Sequence, residues 1–163
     1  MDCTIPQVGV KNIYLMHAED VTFGTSSDKF AILGATFGPD SSVILVEGYK
    51  QNIQVTGALR TMDASAKMDI NVIFKMSRNA SGVIARVRSL LAGRFYVLVD
   101  FADGTDMLVG YTTPLECSGV DWDSNANAGM MTFTLSAPEG AGGNYMMSVD
   151  DAAANQIKAK VGG

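Results

Sequence analysis

One histidine, two cysteines and one run of alternating oxygen-bearing side chains are the places in this 163-residue chain where chemistry could be built. His17 is the sole histidine, so a site with several imidazole ligands is impossible. A lone imidazole acting as a base needs a nucleophile presented beside it, and no such motif accompanies it. His17 therefore reads as a surface or packed residue. Cys3 and Cys117 form no CxxC pair, and the expectation is two free thiols. In the run from Asp121 to Asn127, the residues Asp121, Asp123, Asn125 and Asn127 place oxygens at alternate positions, as a calcium loop does. The sixth position is Ala126 where such a loop has glycine, and the twelfth is Thr132 where it has a bidentate acid. This is a weak metal candidate, and a polar surface loop is the plainer reading. Asn79-Ala80-Ser81 has the letters of a glycosylation acceptor but reads as a helix cap. Gly140-Ala141-Gly142-Gly143 leads into neither a helix nor a Lys-Ser/Thr pair, so it is no phosphate cradle. The expectation is no catalytic centre, no cofactor and no enzyme.

The elements that would position any such residue are clearer. Met68, Ile70, Val72, Phe74 and Met76 alternate with Lys67, Asp69, Asn71 and Lys75, and Ile73 is the one apolar residue on the polar face. A period of two marks a half-buried strand. Ile53, Val55 and Leu59 alternate with Gln54, Thr56 and Arg60 as its partner, and Thr61–Ala66 reads as a polar, flexible tip. The spacing thus predicts a long hairpin over about 53–76. Alone in water such an arm is marginal, so it packs on its own core or reaches a neighbouring subunit. In the second case its polar face, with Gln54, Thr56, Lys67, Asp69, Asn71 and Lys75, faces a lumen or a polar seam.

Val83, Ile84, Val87, Leu90 and Leu91 fall on one stripe at 3.6 residues per turn and predict a helix over about 79–92, closed by Gly93. Phe95–Val99 is nearly unbroken in hydrophobicity and predicts a central strand covered on both faces. The Asp103-Gly104 turn leads into a partner strand over Met107–Tyr111, stopped by Pro114. Met131, Phe133 and Leu135 alternate with Thr132, Thr134 and Ser136 as a further strand. Weaker strands are read at Val10–Met16, Phe30–Leu33 and Val43–Tyr49, for seven or eight strands in all. After Ser136 a Gly-rich joint precedes the short apolar run Tyr145-Met146-Met147-Ser148-Val149. Asp150–Lys160 is Ala-rich, with Asp at its start and Lys near its end, which fits a short helix. Residues 137–163 read as a flexible extension, with Tyr145, Met146 and Met147 able to dock on a neighbour.

The length suits one domain. Hydrophobic residues make up 47 % of the chain, yet no run approaches the ~20 apolar residues of a membrane span. The N-terminus lacks the pattern of a secretory signal. A net charge of −5 argues against a surface that grips nucleic acid, which needs basic groups to replace phosphate counterions.

Several of these stretches carry a resemblance. Gly9-Val10-Lys11-Asn12-Ile13-Tyr14-Leu15, the Lys67–Lys75 strand with its KxDxxxxFK pattern, and a helix ending in Leu90-Leu91-Ala92-Gly93 are three of them. The others are the Phe95–Asp100 strand with its Asp103-Gly104 turn, the Leu108-Val109-Gly110 step and the Thr132–Ser136 strand. Together they resemble small virion proteins of phages and prophages of Bacteroides-type bacteria, which are similar to tail-tube subunits of long-tailed phages. The similarity covers most of the chain in element order, and the Gly-rich C-terminal extension departs from it.

The resemblance implies a mainly β fold: a β-sandwich or partly closed β-barrel over 1–136 with one flanking helix at 79–92. It implies a structural subunit that forms stacked, six-fold rings around a channel for DNA. The implied partners are further copies of the chain and other tail proteins such as tape measure, terminator and baseplate components. DNA would be transient lumen cargo, and no membrane is involved. The implied location is the phage tail, with synthesis in the host cytoplasm. A tail-terminator or baseplate adaptor that stops after one ring fits the same resemblance. From another class, a soluble β-sandwich binding module with a calcium or ligand loop at 121–129 remains open.

Overall fold

The structure, a computed structural model, describes residues 9–27, 31–39, 41, 43–47, 53–62, 65–76, 92–102, 104–111, 113–122, 131–137 and 147–161. These form strands β1 (Val10–His17), β2 (Val21–Thr25), β3 (Ala31–Phe37), β4 (Ile44–Glu47), β5 (Ile53–Met62) and β6 (Ser65–Met76). They continue with β7 (Arg94–Phe101), β8 (Asp106–Val109), β9 (Leu115–Trp122), β10 (Met131–Ser136), β11 (Met147–Val149) and helix α1 (Asp151–Lys158). The protein is mainly β, as expected. Its sheet runs β2-β3-β11-β8-β7-β9-β10-β6-β5, with β1 on β7 and β4 on β1, and does not close into a barrel.

β7 organises the molecule. Along one edge it pairs antiparallel with β1, from Val10↔Phe101 to His17↔Phe95. Its other edge is divided: Val97–Asp100 pair with β8, while Arg94 and Phe95 pair with β9. This division splits the sheet into two branches. Side chains of β1 and β7 alternate between two cores, because successive strand residues project to opposite faces. Ile13, Leu15, Phe95, Val97 and Val99 join Ile70, Val72, Phe74, Leu115, Phe133 and Leu135 in the first core. Tyr14, Met16 and Leu98 turn the other way, toward Val21, Ile32, Leu108, Met147 and the helix residues Ala153, Ala154 and Ile157. The first core is a sandwich between the β4-β1-β7 layer and the β9-β10-β6-β5 branch. The second lies between that central layer and α1 with the β2–β3 hairpin. Phe95, Val97, Leu98 and Val99 are each fully buried, as a strand covered on both faces requires.

Two glycines have conformational reasons to be glycine. Gly104 closes the β7–β8 turn at φ +92°, donating its N–H to Phe101 O at 3.0 Å. Gly110 ends β8 at φ +89°, where a Cβ would lie 3.3 Å from Leu115 Cγ and from Phe95 O.

The structure corrects several expectations. Eleven strands are present among the described residues instead of seven or eight. β2 has no clear signature in the sequence because Gly24 and Thr22 dilute its apolar alternation, and in β9 Gly119, Ser118 and Glu116 do the same. The hairpin tip is tighter than Thr61–Ala66, since Thr61 pairs with Ala66 and Met62 with Ser65. Within the stretch expected as an extension, residues 147–161 pack into the fold. β11 inserts between β3 and β8, and Ala153, Ala154 and Ile157 are buried by 99 % or more. The expected terminal helix is there: Asp150 caps it by accepting from Asp151 N at 2.9 Å, and Lys158 stands in its last turn. The helix expected over 79–92 lies, apart from Ala92, outside the described residues.

Candidate functional site

The first candidate is the β5–β6 arm. β10 pairs with β6 only from Met76 to Asn71. β5 pairs with β6 from Ile53↔Phe74 through to Met62↔Ser65. From Ala58↔Asp69 outward neither strand has a third strand paired to it among the described residues, a projection of about 17 Å at strand rise. β5 is also the last strand of the sheet order, with no strand paired on its outer side among the described residues. One face is committed to the first core: Ile53, Ile70, Val72 and Phe74 are buried and Val55 packs against them. Phe74 stacks on Phe133 of β10 at 5.2 Å between ring centroids.

The opposite face carries Gln54 and Thr56, both exposed, with half-buried Asn71, Ile73 and Lys75. Strand register extends it across the branch, since Lys75 lies beside Thr132, which lies beside Asp121; Ile73 lies beside Thr134 and Asn71 beside Ser136. Ser118, the extra residue of a β9 bulge, donates its hydroxyl to Thr134 O at 3.3 Å. The result is a broad face rich in hydroxyls and amides whose described charges are Lys75, Asp121 and, beside Ser136, Glu116, which pairs with Arg94 of β7 at 3.5 Å. Among the expected interface residues, the structure thus brings Gln54, Thr56, Asn71 and Lys75 together on one surface. Lys67 and Asp69 lie on the projecting part of β6, with their side chains outside what is described. Tyr145 and Met146 lie outside the described residues. Met147 is a correction: it is 5 % exposed and belongs to the second core, so it is unavailable to a neighbour.

The second candidate is a charge cluster that sequence reading missed. Asp100 of β7 and Asp106 of β8 are direct cross-strand partners on the helix side of the sheet. Lys158 of α1 reaches both, with Nζ 3.8 Å from Asp100 Oδ2 and 3.4 Å from Asp106 Oδ1, and lies 5.9 Å from the Tyr14 ring centroid. Two carboxylates thus share one ammonium. Burial raises the Asp106 carboxyl above its ordinary value and the Asp100 charge adds to the rise, against the lowering by Lys158. Burial alone would lower the Lys158 ammonium, but the two carboxylates outweigh it and hold it above its ordinary range. For Asp106 burial is the main cause and the neighbouring Asp100 charge a further one; for Lys158 the two carboxylates decide the direction. The Asp103-Gly104 pair was the available signal, because a turn there folds β8 back along β7; the register that sets Asp100 against Asp106 is seen only in the structure. The contribution of Lys158, some fifty residues on, had no local signature.

The remaining chemistry-bearing residues are dispersed. His17 ends β1 with its ring 4.8 Å from that of Phe95. Cys117 is a half-buried free thiol whose Sγ lies 3.6 Å from Gly119 O, and burial pushes it up, away from thiolate character. Asp121 does not open a loop but lies in β9 with its side chain exposed, paired with Thr132; Asp123, Asn125 and Asn127 lie outside the described residues. No cluster of three or more metal-ligating side chains occurs among the described residues. No helix among them is long and apolar enough to cross a membrane.

Leu33 is the one large hydrophobic side chain exposed among the described residues, at 51 %. It is the extra residue of a β-bulge, since Gly34 pairs with Gly24 while Ile32 pairs with Thr25. Comparison with family models, with curated protein sequences and with solved structures returns no match.

Proposed function

We propose that this chain is a structural subunit of a phage tail tube, assembling through the β5–β6 arm into stacked rings around a channel for DNA. The observation that carries this reading is the self-paired outer half of the arm. A two-stranded ribbon with an unpaired edge is marginal in water and a template for pairing, so a partner that covers it stabilises both. A second copy of the chain is the partner the resemblance supplies, and six arms side by side form one continuous surface. Ring closure is heterologous and needs two different patches. The arm lies at one end of the strand order, and Leu33 on β3 lies near the other.

The hydroxyl- and amide-rich face then lines the channel. Its low charge density and the overall charge of −5 suit the passage of a polyanion without adhesion. Tape-measure, terminator and baseplate proteins are the partners in such a tail. The test is negative-stain microscopy of the purified protein together with light scattering. Stacked rings or tubes are expected. Isolated single rings shift the reading to a terminator or adaptor, and a monomer at all concentrations overturns it.

A further inference from the structure

The β2–β3 hairpin is joined to the sheet in an unusual way. β2 pairs with β3, and the other neighbour of β3 is β11, of three residues. β11 runs parallel to β3 through Ser148↔Ala31 and Val149↔Ile32, and antiparallel to β8 through Met147↔Leu108 and Ser148↔Met107. Among the described residues no other strand links the hairpin to the rest of the sheet. The next residues tighten the same joint. Asp150 N donates to Ile32 O at 2.9 Å, and Ala35 N donates to Gln156 Oε1 at 2.9 Å. Val43 N donates to Lys160 O at 3.1 Å, which ties the end of the segment to the start of β4.

We propose that residues 147–161 form a releasable strap, anchored by Lys158 on Asp100 and Asp106, whose undocking frees the β2–β3 hairpin with it as one cooperative unit. The rest of the fold survives the release. The two cores lie on opposite faces of the central layer and of β8, which gives Val109 to the first and Leu108 to the second, so opening the second leaves Ile13, Leu15, Phe74, Val97, Val109 and Phe133 of the first in place. The anchor is the ionic part of the joint. The charged or titratable groups facing Lys158 are Asp100 from β7, Asp106 from β8 and Tyr14 from β1, and β3 presents it with none. Losing the ammonium leaves two adjacent carboxylates against an apolar core, which favours the undocked state.

Hydrogen exchange on the full-length protein tests this. In wild-type protein at low denaturant, the amides of β2, β3, β11 and α1 are expected to share one opening equilibrium, below that of β6 and β10. In Lys158→Met the same set is expected to exchange about tenfold faster or more, with β6 and β10 unchanged. Asp106→Asn restores a one-to-one charge balance and is expected to keep wild-type protection. Acceleration confined to α1, or spread evenly over the whole chain, overturns the strap as a unit. Equal acceleration in Asp106→Asn and Lys158→Met overturns the role of the anchor. If Lys158→Met does not fold, the wild-type profile alone decides: separate opening of α1 and the hairpin overturns the proposal.

Discussion

Phe133 and Phe74 are both fully buried and stack across adjacent strands at the centre of the first core. Truncating Phe133 to alanine removes a ring that its rigid neighbours cannot replace, and about 3–5 kcal/mol of stability is expected to be lost. Urea unfolding measures that loss, and an unchanged midpoint would contradict the packing. Asp106 behaves differently because its carboxylate is buried and only partly compensated by Lys158. Its folded pKa is raised, so its contribution to stability is full below the ordinary carboxyl value of 3.8 and declines as pH rises through the folded value. Asp106→Asn is therefore expected to be at least as stable as wild type at neutral pH and to flatten that decline. Melting temperatures from acid to neutral pH show whether it does. Lys158 carries the opposite charge with a pKa also raised, so its contribution persists through neutral pH and is lost only above its ordinary value of 10.5. At Gly110 the backbone stands at φ +89° and a Cβ would press on Phe95 O and Leu115 Cγ. Gly110→Ala is expected to cost about 1–3 kcal/mol, read by the same unfolding curves.

Among the elements, the β5–β6 arm was legible from side-chain alternation alone, because one face had to be apolar wherever the strand covered a core. The register closes it at Met62↔Ser65, so shortening it requires a new turn. Replacing Thr61–Ala66 by Asn-Gly re-closes the hairpin at Arg60↔Lys67 with a two-residue turn suited to strand twist. The variant is expected to fold with wild-type circular dichroism, since Ile53, Ile70, Val72 and Phe74 keep their places in the core. It is also expected to fail to assemble in light scattering, because the edge loses part of its cover. Assembly equal to wild type would leave the arm an intramolecular hairpin. The helix α1 was legible in another way, from an aspartate before it and a lysine in its last turn. What it packs on was not, since an Ala-rich segment of eight residues carries too narrow an apolar stripe to say whether its core is local or foreign.

For the whole molecule, the distribution of charge decides how it meets DNA. On the described outer face of the β9-β10-β6-β5 branch, Lys75 is balanced by Asp121 across Thr132, and Arg94 of β7 is paired with Glu116. Duplex DNA added at low salt is expected to leave the migration of the protein unchanged in a native gel, because few phosphate counterions would be released. A retarded band that disappears steeply with added salt would point to a basic surface and against a channel lining.

What the sequence by itself determined is what depends on near neighbours along the chain. Period-two alternation set the faces of β5, β6 and β10, unbroken hydrophobicity marked β7 as covered on both sides, and Asp103-Gly104 marked the turn into β8. Short or glycine-bearing strands escaped it, because β2, β9 and β11 owe their extended form to neighbours that supply hydrogen bonds, not to their own pattern. Only the tertiary structure decided that Met147 and α1 belong to the molecule's own core. Only it could bring Lys158 onto Asp100 and Asp106, because that contact depends on where a chain end returns to the sheet, and nothing local encodes the return.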